Sequence, residues 1–242
     1  MLNNLAAING AKATYSQVVL ADNPIGFWLL NEVSGTTGDD LTANNNDLTF
    51  YNSPTLNVAT GLTGITKAIT FDGTNDRLNT ATVSTFNVAA STNWSIEIWI
   101  KTSSSTFGVP IAWRDASGSN AGLDGILTIN NGTAGLIQLL TADSIGNLLI
   151  ISHAGSYNDN AWHQVVISAT SAGAIRLYVD GVDRANSTTL RNIGTSNRAI
   201  VVGANDTGGT YAQFYTGTAT AVSVYNTALS AAQVLAHYNA GV

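Results

Sequence analysis

The sequence contains no cysteine, and its charged residues are few. Without cysteine the chain cannot form disulfides, bind a metal through thiolates or use a cysteine nucleophile. Asp, Glu, Lys and Arg make up 10% of the 242 residues, less than half of the roughly 25% usual in soluble proteins. We therefore expect a surface that is mostly neutral and rich in hydroxyl and amide groups. A chain of this length can bury about 70% of its unfolded surface, so it does not need disulfides to be stable.

Positive charge is especially scarce. Nine Lys and Arg stand against 15 Asp and Glu, which gives a formal net charge of -6. Binding to nucleic acid needs a basic stripe that neutralises phosphates, so we expect neither a nucleic-acid partner nor a membrane partner. No segment is long and apolar enough to span a bilayer, and residues 1–5 have neither the basic nor the apolar region of a signal peptide. These absences predict a protein made in the cytoplasm without a secretory signal.

Helix signals occur near the two ends of the sequence. Thr14 to Gln17 and Ser230 to Gln233 both have the Ser/Thr-x-x-Gln form of a capping box, so each predicts the start of a short helix. Pro24 should end the first helix, because its ring keeps the preceding residue out of the helical region. We interpret residues 1–13 as an N-terminal arm and residues 14–242 as one domain.

The sequence between these helices has the pattern of β-strands. Residues 94–100 alternate most clearly, with Trp and Ile on one face and Ser, Glu and Trp on the other. Asn131-Gly132 and Asp180-Gly181 favour the positive φ angles of two-residue hairpins. No helix-length connection separates the strands, which favours antiparallel pairing. The predicted fold class is all-β, an antiparallel two-sheet jelly-roll sandwich with a short N-terminal and a short C-terminal helix.

Six short motifs occur within a stretch that covers about residues 15–240: Val19 to Pro24 with Phe27 to Glu32, Asp40 to Asp47, Phe71 to Asp76, Ser95 to Lys101, Trp162 to Val166, and Leu177 to Gly181. In order and spacing they resemble the laminin-G-like, concanavalin-A-type jelly-roll modules found in virion proteins of tailed bacteriophages. The resemblance implies a place on the particle surface, with capsid or tail proteins as partners. The same fold hosts lectins, adhesion modules, capsid decorations and glycosidases, so it does not by itself decide the function.

An enzymatic function is not favoured by the acids of this sequence. Glycosidases need two acids that face one sugar ring, about 5 Å apart in retaining enzymes and further apart in inverting ones. Glu97 shares its strand face with Trp99 and Lys101, so that strand supplies no second acid. None of the three histidines lies in a catalytic motif. We predict no enzyme, and we interpret Glu97 as hydrogen-bonded to a neighbouring strand or loop.

Calcium is the metal that the resemblance implies, because some members of the family hold it near the Asn-rich loop. The candidate ligands there are Asp40, Asn46 and Asp47, whose hard oxygen atoms suit calcium. The acids that the family often adds from its last strand are replaced here by Thr220 and Ala221. We therefore predict no metal and no cofactor, and we expect Asp40 and Asp47 to cap turns.

Glycan binding needs an aromatic ring for the apolar face of a sugar and polar groups for its hydroxyls. Two segments have this composition, residues 113–124 and residues 204–212. The candidate glycan ligands are Trp113, Asp115 and Asp124 in the first segment, and Asn205, Asp206 and Tyr211 in the second. We expect both segments to face outward.

The sequence as a whole predicts a non-enzymatic virion structural protein: a capsid decoration, a head fibre or a tail adhesion component. Residues 1–13 would attach it to the particle, where it would also self-associate and contact cell-surface glycans. Two alternatives stay open. One is a calcium-assisted carbohydrate-binding module, and the other is a glycan hydrolase or lyase.

Overall fold

The computed structural model describes residues 12–81, 86, 92–115, 125–142, 148–188, 198–207 and 209–242. Its helices are α1 (Tyr15–Ala21) and α2 (Ala231–Gly241). Its strands are β1 (Gly26–Trp28), β2 (Thr37–Gly38), β3 (Leu48–Tyr51), β4 (Thr55–Ala59), β5 (Lys67–Asp72), β6 (Arg77–Asn79), β7 (Trp94–Lys101), β8 (Gly108–Asp115), β9 (Gly125–Ile129), β10 (Leu136–Ala142), β11 (Leu148–Ala154), β12 (His163–Ala169), β13 (Ile175–Val179), β14 (Val182–Ser187), β15 (Arg198–Val202), β16 (Asn205–Asp206), β17 (Tyr211–Ala212) and β18 (Thr216–Tyr225).

The strands form two eight-stranded sheets and a small hairpin. Sheet A has the order β14-β13-β12-β7-β18-β5-β4, and β1 also pairs with β18. Sheet B has the order β11-β10-β9-β8-β15-β6-β3-β2, and β16 pairs with β17. All of these described pairs are antiparallel. The predicted all-β sandwich with two short terminal helices is confirmed. Most of the predicted arm, residues 1–11, lies outside the described residues.

Both capping boxes form where the sequence predicts them. The Thr14 hydroxyl accepts from the Gln17 amide at 3.3 Å while the Gln17 side chain accepts from the Thr14 amide at 2.9 Å. Ser230 and Gln233 repeat this exchange at the start of α2. Asn23 then takes a φ of 53° directly before Pro24 and stops α1. In the part of the chain that the structure describes, neither helix is long and apolar enough to cross a membrane.

Of the two hairpin turns predicted to have two residues, one has this length and the other is longer. Asp180 and Gly181 have φ angles of 54° and 75° and join β13 to β14 as a two-residue turn, as predicted. Asn131-Gly132 also lies between two paired strands, but the connection runs over residues 130–135. Asn130 holds this longer loop, since its Oδ1 accepts from the Gly135 amide at 2.7 Å. The Asn131-Gly132 dipeptide alone does not indicate this hydrogen bond between Asn130 and Gly135.

The main core lies between the two sheets. On β7, Trp94 and the three isoleucines of the alternating pattern point into it. Trp113 of β8 is also fully buried there, with its ring 5.8 Å from that of Trp94 in an edge-to-face arrangement. Gly125 lies so close to Trp113 that a Cβ at this position would come within 2.2 Å of the indole. The expectation that Trp113 presents its ring to solvent is therefore wrong. Strand β8 continues through residue 115 and turns the side chain inward.

A second apolar cluster covers the outer face of sheet A. Trp99, Tyr178 and other outward side chains of this sheet pack against Tyr15 and Val19 of α1 and Val234 of α2. Both faces of β7 are consequently buried, whereas the alternating sequence predicts one buried face. The helices remove this face of the sheet from solvent.

A buried carboxylate ties both helices to sheet A. Glu97 of β7 is fully buried, and its Oε1 accepts from the Tyr15 hydroxyl at 2.9 Å and from Gln164 Nε2 at 2.8 Å. Its Oε2 lies 2.7 Å from His237 Nδ1, and His237 Nε2 lies 2.9 Å from Asp22 Oδ2. The structural interpretation of Glu97 is confirmed. The carboxylate binds the neighbouring strand β12 and both helices at once.

These contacts determine the charge of His237. Burial alone lowers the pKa of the imidazole, but the charges of Glu97 and Asp22 and the hydrogen bonds to them outweigh burial and raise the pKa to about 10. The pKa of Asp22 is lowered. Burial opposes that change, but hydrogen bonds to His237 and Gln233 and the charge of His237 exceed it. Near neutral pH His237 is therefore a cation, and its ring lies between the side chains of Glu97 and Asp22.

The raised pKa of His237 predicts how stability depends on pH. The stabilisation is complete below the ordinary pKa of 6.5 and is lost as the pH rises towards about 10. The free energy of unfolding should fall over this interval by up to about 1.4 kcal/mol per pH unit. Urea unfolding at several pH values between 6 and 9.5 measures this fall in the free energy of unfolding. His237→Gln should remove most of the slope, and His153→Gln, outside the network, is the matched control. If the slope is the same in His237→Gln, the pH dependence does not come from His237 and the prediction is wrong.

Trp113→Ala should act on stability and not directly on ligand binding. Removing a fully buried indole leaves a cavity and should lower the free energy of unfolding by about 3–5 kcal/mol. Chemical denaturation measures this loss. Ligand binding, normalised to the folded fraction, should not change. Binding that disappears while stability is kept would show that Trp113 contacts the ligand.

Candidate functional site

The candidate glycan ligands that the structure describes do not form one site. Trp113 lies in the inter-sheet core, and Asp115 is the last residue of β8. Asp124 lies outside the described residues. Asn205, Asp206 and Tyr211 belong to the β16–β17 hairpin, where Asp206 pairs with Tyr211. Among the described residues, only this hairpin brings several of the candidates together.

The hairpin lies on the outer face of sheet B. Ala204, Tyr211 and Phe214 pack against Val109 and Ala112 of β8 and other outward residues of the sheet. Because β16 contacts β8, the hairpin crosses the middle of the sheet. It thereby carries Tyr211 towards β6.

Asn205 and Asp206 are mostly buried and shape the hairpin. Asn205 is 4% exposed, and its Nδ2 donates to Gln213 Oε1 at 2.7 Å. Asp206 is 8% exposed, and its Oδ1 accepts from the Gly209 amide at 2.7 Å. The expectation that these two side chains face outward is wrong, because they close the loop on itself.

Tyr211 meets an arginine and a second tyrosine. The register of β3 and β6 places Tyr51 directly opposite Arg77. The guanidinium carbon of Arg77 lies 4.1 Å from the ring centroid of Tyr51 and 3.9 Å from that of Tyr211. Such distances are typical of cation–π contacts. We call these three side chains the tyrosine–arginine stack.

Two polar atoms, one in the stack and one beside it, form no hydrogen bond among the described residues. Asn79 follows Arg77 on the same face of β6, and its Nδ2 is 3.4 Å from the Tyr211 hydroxyl. Among the described residues, Asn79 Oδ1 and Arg77 Nε are buried and form no hydrogen bond. Burial, and then the charge of Asp206, raises the pKa of Tyr211, so its hydroxyl stays protonated near neutral pH. The Tyr51 ring is 37% exposed and is accessible beside these polar groups.

The sequence analysis did not single out Tyr51 or Arg77. Tyr51 and Arg77 each lie in a short strand whose other apolar residues face the core. These core residues are Leu48 and Phe50 on β3 and Leu78 on β6. The alternation of these strands indicates that Tyr51 and Arg77 face outward, and this is the signal that could have found them. The alternation does not indicate, however, that β3, β6 and the β16–β17 hairpin lie next to one another.

The Asn-rich loop is organised by protein donors. Asp40 Oδ1 accepts from the amides of Phe27 and Thr42, each at 3.0 Å, and Asp40 Oδ2 accepts from the Asn46 amide at 3.0 Å. Asp47 Oδ1 accepts from the Asp40 amide at 2.9 Å. The predicted capping role of both acids is confirmed. Across the described residues, no group of three or more His, Asp or Glu side chains is arranged to hold a metal ion.

Two grooves lie on the surface of the described part of the chain. One, of about 460 Å³, lies at the start of α2, and its single acid, Asp183, pairs with Arg176. The other, of about 400 Å³, runs along Thr70, Lys101 and Thr218 and has no acid in its lining. Neither of these two grooves supplies the pair of acids that glycoside hydrolysis needs.

The architecture is similar to that of known binding domains. The binding domain of botulinum neurotoxin serotype D superposes with a TM-score of 0.67 at 18% identity, over 90% of this chain and 52% of that one. The binding domain of Paraclostridial mosquitocidal protein 1 gives 0.67 at 16% identity, over 91% and 52%. A serotype D ligand-binding domain in complex with N-acetylneuraminic acid gives 0.67 at 17% identity, over 94% and 52%. This chain thus spans about half the length of each.

At such identities the superpositions show the shared fold. No curated protein sequence matches the chain. Residues 72–235 match the laminin G-like family model described as the concanavalin A-like lectin/glucanases superfamily. This match covers well over half of the chain, so the chain belongs to the concanavalin A-like lectin and glucanase superfamily.

Proposed function

We propose that this chain is a non-enzymatic glycan-binding domain whose binding surface is the tyrosine–arginine stack. The observation that carries the proposal is the exposed Tyr51 beside Asn79 Oδ1 and Arg77 Nε, two atoms that form no hydrogen bond with the described residues. An aromatic ring contacts the apolar face of a pyranose, and nearby hydroxyl and amide groups bind the sugar hydroxyls.

The surroundings of Tyr51 supply the polar contacts. Thr49 lies on the same outward face of β3 and directly opposite Asn79, and its side chain is exposed. The hydroxyls of Thr49 and Tyr211 can each donate and accept a hydrogen bond, as a sugar hydroxyl does. A bound sugar would therefore rest on Tyr51 and extend towards Thr49 and Tyr211.

The comparisons support a binding role over a catalytic one. The family description covers both lectins and glucanases, and one structural neighbour is a ligand-binding domain in complex with N-acetylneuraminic acid. The two grooves described above lack an acid pair. The buried Glu97 is enclosed by its own protein partners and is closed to a substrate.

For the biological setting we propose a virion surface. The support is the resemblance of the sequence motifs to tailed-phage virion proteins, together with the low charge of the chain. The domain would be made in the host cytoplasm, attach to capsid or tail proteins, self-associate and contact cell-surface glycans. Many weak glycan sites on one particle would act together through avidity. This setting stays a prediction from the sequence.

Tyr51→Ala should weaken glycan binding about threefold to tenfold, since one aromatic contact contributes about 0.5–1.5 kcal/mol. Retention of the full chain on a glycan array and titration with the best ligand measure the change. Tyr51→Phe should retain most of the affinity, because the ring remains.

Leu148→Ala is the matched control for Tyr51→Ala. Leu148 is a 49% exposed side chain on β11, at the opposite edge of sheet B from β3. EDTA should leave binding unchanged, because amides occupy both oxygens of Asp40. Equal losses in Tyr51→Ala and Leu148→Ala, or no binding to any glycan, would contradict the proposed function.

Deleting residues 1–13 should abolish attachment to the particle and spare glycan binding. The reason is that the arm, as predicted from the sequence, serves as the anchor, whereas the stack lies in the folded domain. Co-sedimentation with particles that lack the native protein measures attachment. Normal attachment of the truncated chain would show that another surface holds it.

A further inference from the structure

Arg77 is a cation that has no acidic partner in the part of the chain that the structure describes. Among the described residues no Asp or Glu forms an ion pair with it, and its Nε is buried without a hydrogen bond. Arg176, by contrast, pairs with Asp183. An arginine that is partly buried and unpaired is costly, because its charge loses hydration and gains no counter-charge.

Asp206, the acid of the hairpin, forms no ion pair with Arg77. Asp206 is close enough for its charge to raise the pKa of Tyr211, after the larger effect of burial. Its Oδ1, however, accepts from the Gly209 amide and shapes the loop. With no ion-pair partner among the described residues, the guanidinium can pair with an anionic group from outside the chain.

The two tyrosines restrict the guanidinium. Both ring centroids lie about 4 Å from its central carbon, so the group packs against two aromatic rings. The N–H donors of a guanidinium in such a position can match the two oxygens of a carboxylate. Because the side chain is already ordered, little conformational entropy is lost when an anion binds.

We propose that Arg77 binds the carboxylate of an acidic glycan, of the uronic-acid or sialic-acid chemical class, while Tyr51 contacts the sugar ring. This inference rests on the proposed function and names the class of ligand for the same site. The formal net charge of -6 repels acidic polymers as a whole, so such a ligand needs a specific local cation.

The experiment compares each acidic glycan with its own neutral ester. The full chain is titrated with 3′-sialyllactose and its methyl ester, with oligogalacturonate and its methyl ester, and with lactose as a neutral sugar. At least one acid should bind tenfold or more tightly than its ester. A sulfated oligosaccharide of matched charge separates the planar carboxylate from anions in general, and it should bind more weakly than the acid.

Variants assign the preference to Arg77. Arg77→Gln should abolish the difference between acid and ester and leave the weak binding of the ester, while Arg77→Lys should restore part of the difference. Arg176→Gln removes the same charge from the groove at α2 and is the matched control, which should keep the full preference. Thermal unfolding of each variant confirms that it is folded. The comparison of acid with ester on the unaltered chain does not depend on any variant folding.

The outcomes separate the two proposals. Equal binding of acids and esters, preference for the sulfated sugar, or binding of neutral glycans alone overturns the carboxylate inference and leaves glycan binding in place. A preference for acids that persists in Arg77→Gln also overturns it. No binding to any glycan overturns the proposed function, and the inference with it.

Discussion

The burial of Glu97 is the constraint on which the arrangement of this domain depends. A carboxylate without contact with water is tolerated only where donors and positive charge surround it. Tyr15 comes from α1, His237 from α2 and Gln164 from β12, so the charge is satisfied only when both helices lie on sheet A. The helices close the outer face of sheet A in this region, and the β16–β17 hairpin and the stack lie on the outer face of sheet B.

The elements that could be predicted from the sequence are those fixed by local physics. Thr14 and Ser230 cap helices because a side chain and an amide three residues apart satisfy each other, whatever lies around them. Asp180-Gly181 makes a tight turn for a similarly local reason. Trp113 shows the limit of this reasoning. Its neighbours have the composition of a loop, but pairing with β9 and β15 extends the strand through them and turns the indole into the core.

The candidate site was predicted in part. Tyr211 could be identified because an aromatic residue closes a segment rich in Asn, Asp and Gly, and it does lie in the stack. Arg77 and Tyr51 could not be connected to it, since their proximity results from the order β15-β6-β3 and from a hairpin that crosses the sheet. Such contacts between distant segments follow from topology and leave no local signal in any one segment.

Burial has an electrostatic cost for both Glu97 and Arg77, but the two charges are compensated in different ways. Each charge loses hydration on folding and needs a partner in return. Glu97 finds its partners within the chain, which fixes the helices and leaves that carboxylate unable to meet a ligand. Arg77 contacts two aromatic rings and forms no ion pair with a described acid, so its guanidinium can still pair with an anion from another molecule. The rule that explains how Glu97 is held on sheet A therefore also supports the proposal that sheet B carries the binding surface.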